Sequence, residues 1–295
     1  MSLKKIFIIT IIAFTAKFWV FEPFIIPSSS MDNTLIKGDY LIVNKWENSI
    51  FGNHLNIENG DIVTFRYPLD NVTLDEKMVF AKRCIGIPGD TILILEGNTN
   101  TDNRLLNFDY LIRDPNTSIN WDLLSSINVH LGGKTINNNW LLNLSENQVN
   151  HLKELDADIE LTKHLEDSNT GNLSVFPSDT LLKWNRDNFG PIYIPIAGKE
   201  IELKLNNINI YKKIIETYES HSLSIIDSTF TIDGIVSKHY TFEQNYYFML
   251  GDNRHHSQDS RHWGFVPENH LLASCSIVLF NIDNFSTQRL LKRIK

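Results

Sequence analysis

Three separated segments hold the residue types of a serine hydrolase that uses lysine as its base. Ser28, Ser29 and Ser30 follow the turn-forming Pro27 and precede Met31; Lys82 sits in the strand-like run Phe80-Ala81-Lys82-Arg83-Cys84; and a polar loop extends from Gly251 to Arg261. A hydroxyl becomes a good nucleophile when a neighbouring group takes its proton, and an amine can take that proton only while neutral. Free lysine, with a pKa of about 10.4, is protonated near neutral pH, but burial penalises the charged form enough to release a neutral amine. In an extended strand Lys82 shares its face with Met78, Phe80 and Cys84, while Arg83 points the other way. Serine triplets after proline also occur in plain loops, and a lysine at a sheet edge ordinarily snorkels into water, so neither segment decides alone.

The third segment, Gly251-Asp252-Asn253-Arg254-His255-His256-Ser257-Gln258-Asp259-Ser260-Arg261, continues into Trp263-Gly264-Phe265-Val266-Pro267. Glycine and asparagine permit a tight turn, and Asp252, Arg254, Asp259 and Arg261 can fix it through charge-assisted hydrogen bonds. His255, His256 and His262 lack the spacing of a zinc motif and have no cysteine beside them, so they are expected to be solvated loop residues, with no metal.

Together with Arg83-Cys84-Ile85-Gly86-Ile87-Pro88-Gly89-Asp90, Gly38-Asp39-Tyr40 and Asn59-Gly60-Asp61, these segments resemble bacterial signal peptidase I, the leader peptidase family, in order and spacing over somewhat more than half of the chain. The resemblance implies a membrane-bound serine endopeptidase that cleaves signal peptides from exported preproteins after small residues, through an acyl-enzyme. It singles out Ser30 as the nucleophile and Lys82 as the general base. Ser28 and the Ser30 backbone N–H match the oxyanion donors, Ser257 a hydroxyl that hydrogen-bonds the lysine, and Asp259, Arg261, Asp252 and Arg83 the bracing residues. Phe24, Ile26, Met31, Leu35, Phe80 and Ala81 match the substrate pockets. No cofactor is implied. Ser29 stands where glycine is frequent in the family, and Asn33 where proline is usual. A self-cleaving repressor-type peptidase would share the dyad but needs a DNA-binding domain, and no basic helix-turn-helix is visible. A catalytically dead peptide-binding relative would not need Ser30, Lys82 and Ser257 intact.

Composition agrees with a folded enzyme. The chain has 295 residues, 42% hydrophobic content and a formal net charge of -8, which disfavours nucleic acid as a partner. Cys84 and Cys275 are too few for a zinc site or disulfide framework and are expected to be core residues. Ile6 to Ala16 is apolar and continues through Phe18-Trp19-Val20-Phe21. A helix from Lys4 to Glu22 would be roughly 28 Å long, enough to span a bilayer, with Lys17 and Trp19 at the interface. Lys4-Lys5 favours a single-pass protein of the bacterial inner membrane with its catalytic part on the outer, periplasmic side. A cleavable signal peptide is the competing reading, but cleavage after Ser28-x-Ser30 would discard the proposed nucleophile.

The expected fold is mostly β (β-rich α+β): an antiparallel-sheet catalytic domain of signal peptidase type, with a large inserted cap and an N-terminal transmembrane helix. Strand-like runs at 40–43, 61–65, 79–81, 91–95, 246–250 and 277–280, punctuated by Gly-Asp and Pro-Gly pairs, carry this reading. The expected divisions are 1–22 for the anchor, 23–95 and 235–285 for the catalytic domain, 96–234 for the cap and 286–295 for a basic tail that could touch the lipid bilayer. Within the cap, Ser145-x-x-Gln148 predicts a capped helix with Val149, Leu152, Leu155 and Ile159 inward, and Ile208, Tyr211, Ile214, Ile215 and Tyr218 predict a second. Asp233-Gly234 predicts a hairpin turn.

Overall fold

The lysine strand, Val79–Gly86, lies at the centre of a five-stranded sheet. The computed structural model describes residues 21–44, 55–69, 72–101, 106–113, 124, 130–134, 140–155, 159–283 and 287–294. One neighbour of the lysine strand is Ile62–Arg66, with Lys82 opposite Val63; the other is Tyr246–Leu250, with Leu250 opposite Arg83. This register makes the chain leave the sheet at Gly251, level with Lys82. Residues far apart in sequence are thus joined at one point of a ladder.

A second sheet, in the order Phe21–Ile25, Asp39–Asn44, Ile277–Asn281 and Lys292–Arg293, carries the serine turn. The first two strands pair antiparallel, and the connection between them is closed at its base by Ile26 N–H to Asp39 O and Gly38 N–H to Ile26 O, both 2.9 Å. Phe21 and Glu22, expected to end a membrane helix, lie instead in this strand. Glu22 precedes Pro23, which disfavours helical backbone, and it pairs with Val43. The rest of the expected span, residues 1–20, lies outside the described residues, among which no helix is long and apolar enough to cross a membrane. The C-terminal segment joins the fold as an edge strand, with Ile294 buried and Arg289 paired to Asp39.

The middle of the chain contributes to two cores. Glu160–Lys163, Asn107–Arg113, Trp140–Ser145 and His130–Lys134 form a four-stranded sheet with its own apolar cluster, which includes Leu142, Leu144, Val149 and Leu152. The helix Glu146–Leu155 starts as its capping box predicts: Ser145 N–H donates to Gln148 Oε1 at 2.9 Å and Gln148 N–H to Ser145 Oγ at 3.3 Å. Leu155 is exposed. Farther along, Phe176, Phe189, Ile208, Tyr211, Ile214, Ile215 and Phe242 pack with Ile85 and Phe248 of the catalytic strands and with Phe265. The second predicted stripe is therefore a packing face. Asp233 and Gly234, with φ of 50° and 81°, make the predicted hairpin turn. Every pairing between named strands is antiparallel. Both cysteines are buried and free.

Candidate active site

The turn after Pro27 presents Ser30 to Lys82. Leu35 N–H to Met31 O and Asp32 N–H to Ser29 O, at 2.9 and 3.0 Å, tighten it, and the Lys82 ammonium nitrogen Nζ bonds Ser30 Oγ. Asn33 has φ of 92°, a conformation that proline's ring forbids, so this turn differs locally from one built on the family's usual proline. Ser30 is 8% and Lys82 2% exposed. Ser28 and Ser29 are exposed, with Ser28 Oγ 3.3 Å from Ser30 Oγ. The Ser30 backbone N–H has no acceptor among the described residues and is available to a substrate oxygen.

Burial lowers the Lys82 pKa to about 8. Asp259 and Asp252 pull it up and Arg261 pushes it down, but among the described residues no carboxylate pairs with it directly. The two acids are already committed. Arg83 grips Asp252 with Nε to Oδ1 at 2.7 Å and Nη2 to Oδ2 at 2.6 Å, and also donates to Gly60 O and Thr34 Oγ1. Arg261 grips Asp259 likewise at 2.9 and 2.8 Å, and its remaining N–H groups reach Arg186 O and Arg254 O. Burial alone would raise Asp259, but the Arg261 charge holds it well below the usual carboxylate range. Two acids neutralised by two arginines leave the amine with little reason to stay charged.

The loop itself is packed against the serine turn. A Cβ at Gly251 would stand 2.2 Å from Ser257 Oγ and 2.5 Å from Ser30 O, so only glycine fits. Gly251→Ala is expected to lower cleavage about 100-fold by displacing Ser30 and Ser257; measurement of kcat/KM on folded protein checks this, and near-normal activity would contradict it. The Ser257 hydroxyl donates to Gln258 O at 3.4 Å, and the bond to Lys82 implied by the resemblance is not formed.

Ile26, Met31, Leu35 and Ala81 are buried in one cluster, with Phe24 packed against it. Met31 and Leu35 are fully covered, so they can shape a pocket only from beneath. Phe80 lies in a different cluster, beside Tyr67 and Trp263, because alternation turns it away from Ala81. Its ring centroid is 5.8 Å from Lys82 Nζ, as their shared face requires.

The histidines require a correction. The His255 side chain is 2% exposed, accepting Asp109 N–H at Nδ1 (3.1 Å) and bonding Asp187 Oδ1 through Nε2 (3.0 Å). His256 bonds Asp109 Oδ1 at 2.9 Å, and His262 is half-buried. The expectation of solvated loop residues fails for His255, because its partners Asp109 and Asp187 come from the middle of the chain, whereas His256 is exposed. Thr34 was also missed: its hydroxyl donates to Asp252 Oδ2 at 2.6 Å. So was Asn253, which holds Ser29 and Ser30 by their carbonyls.

Comparison with known proteins gives this site its context. Residues 1–158 and 193–280 match the family described as signal peptidase, peptidase S26. Similar curated proteins are the signal peptidase I of Buchnera aphidicola subsp. Schizaphis graminum, 27% identical over 96% of this chain and 75% of the relative, and that of Aquifex aeolicus, 26% identical over 95% and 84%. The signal peptidase I of Haemophilus influenzae is 23% identical over 95% of this chain and 69% of its own length. With most of its length matched and its motif segments meeting at one buried serine, the chain belongs to the signal peptidase S26 family of serine endopeptidases.

Proposed function

We propose that this chain is a membrane-anchored signal peptidase working through a Ser30–Lys82 dyad and an acyl-enzyme. The observation that carries the reading is the bond from Lys82 Nζ to Ser30 Oγ in surroundings where burial depresses the lysine. Neutral Lys82 takes the Ser30 proton as Oγ attacks the scissile carbonyl. The Ser28 hydroxyl and the Ser30 N–H receive the oxyanion, each donor worth about 3–4 kcal/mol. Lys82 then gives its proton to the leaving amine, the C–N bond breaks, and an ester on Ser30 remains. Lys82 next accepts a proton from water, whose oxygen attacks the ester; protonation of Ser30 Oγ releases the acid and regenerates neutral amine.

Arg83, Asp252, Asp259 and Arg261 hold the frame, and Ser257 is a supporting hydroxyl at the turn. Phe24, Ile26, Met31, Leu35, Phe80 and Ala81 bound shallow pockets for the residues before the cut. Residues before the strand Phe21–Ile25 supply the anchor, with the catalytic part outside the inner membrane and the insert as a cap. Preproteins carrying alanine at the first and third positions before the cut are expected to be cleaved; phenylalanine at either should lower kcat/KM about 100-fold or more, while the second position tolerates change. N-terminal sequencing of the product and rates for the three substrates test this, and equal tolerance at all three positions would contradict it.

A further inference from the structure

The insert reaches the proposed nucleophile through a buried line of amides. On the strand Trp140–Ser145, Leu142 and Leu144 face the insert's own core, so the alternation sends Asn143 to the opposite face. There its Nδ2 donates one hydrogen to Asp109 Oδ1 and the other to Asn253 Oδ1, both at 3.0 Å, and its Oδ1 accepts from Asn107 at 3.3 Å. Asn253 in turn donates Nδ2 to Ser29 O and its backbone N–H to Ser30 O, each at 3.1 Å. Asn143 and Asn253 are each 2% exposed.

The direction of this line is set by chemistry. An ionised Asp109 only accepts, so the Asn143 amide must turn its nitrogen there and toward Asn253 Oδ1. Ser29 O also only accepts, which fixes Asn253 the same way. Ser29 C=O and Ser30 N–H belong to one peptide unit and, in a trans peptide, point in opposite directions. Holding the carbonyl therefore aims the N–H, the group proposed to receive the oxyanion. Asn107 N–H to Asp252 O at 3.0 Å adds a second tie between the same insert sheet and the loop.

We propose that Asn143, in an insert without catalytic motifs, is a positioning residue that aims the Ser30 N–H through Asn253. The inference rests on Ser30 being the nucleophile. A group that aims an oxyanion donor acts on the transition state, so its loss lowers kcat and leaves KM nearly unchanged. Asn143→Leu keeps the size and removes the donor. In full-length protein assayed on a preprotein well below its melting temperature, it is expected to lower kcat about tenfold with KM changed less than about twofold. Asn143→Ser serves if the leucine variant does not fold. On an Asn253→Ala background the same change should cost nothing further. Leu142→Ala, in the sheet's core, should lower Tm but keep kcat. Wild-type kcat in both Asn143 variants, a full second loss on Asn253→Ala, or a matching kcat loss in Leu142→Ala would overturn the proposal, the last by showing a merely structural role. Ser30→Ala, run alongside, separates the two readings: a variant that still cleaves removes the nucleophile assignment itself, whereas normal Asn143→Leu beside inactive Ser30→Ala removes only this inference.

Discussion

Ser30→Ala is expected to reduce preprotein cleavage below about one part in 10,000 of wild type, the scale on which loss of a nucleophile acts in serine hydrolases. Only Ser30 of the triplet receives the Lys82 bond, and only it is buried. Ser29→Ala should keep most activity, since its side chain is exposed and the groups that bind Asn253 are backbone. Ser28→Ala should fall between, losing about 10–1000-fold if its hydroxyl receives the oxyanion. Quantitative cleavage by the three purified variants distinguishes the roles. Comparable rates for Ser30→Ala and wild type would remove the dyad.

Lys82→Arg and Lys82→Met should be as inactive as Ser30→Ala. A guanidinium cannot shed its proton at working pH, and a thioether has none to exchange. Wild-type kcat/KM should rise with pH and level off above about 8, as the buried ammonium becomes the neutral base. A chelator should change nothing. An active Lys82→Arg enzyme, or inhibition by chelator reversed by zinc, would show a different mechanism. The same lysine has a stability consequence. Its folded pKa, about 8, lies below lysine's ordinary value of 10.5. Between these values the unfolded chain binds the extra proton, so wild-type stability gains from rising pH in that window. Below it the folded protein carries the full burial penalty, on the order of 3 kcal/mol. Lys82→Met should therefore melt higher than wild type at neutral pH while being inactive, and its stability should lack the gain from pH 8 to 10.5.

What could be read locally followed from periods and caps. A spacing of two placed Lys82 with Phe80 and turned Arg83 to the opposite face; Ser145 and Gln148 marked a helix start; Asp233-Gly234 marked a turn. Each of these depends on atoms a few residues apart, and local sterics and hydrogen bonding are enough to settle them. The family resemblance added the identity of the serine, which the triplet by itself left open.

Tertiary structure decided the rest. The strand at Phe21–Ile25 exists because Asp39–Asn44 returns beside it, overriding an apolar run that reads as helix. His255 is buried because Asp109 and Asp187 come to meet it, and Asn143 gains its place beside Asn253 only when its own sheet docks on the loop. These bonds join residues tens to hundreds of positions apart, and no local signature accompanies them. A polar residue within Trp140-Leu141-Leu142-Asn143-Leu144 was the one available sign, since an amide in so apolar a strand needs partners if it is buried. Which partners it finds is set by the packing of one sheet against another, information that belongs to the whole chain and to no segment of it.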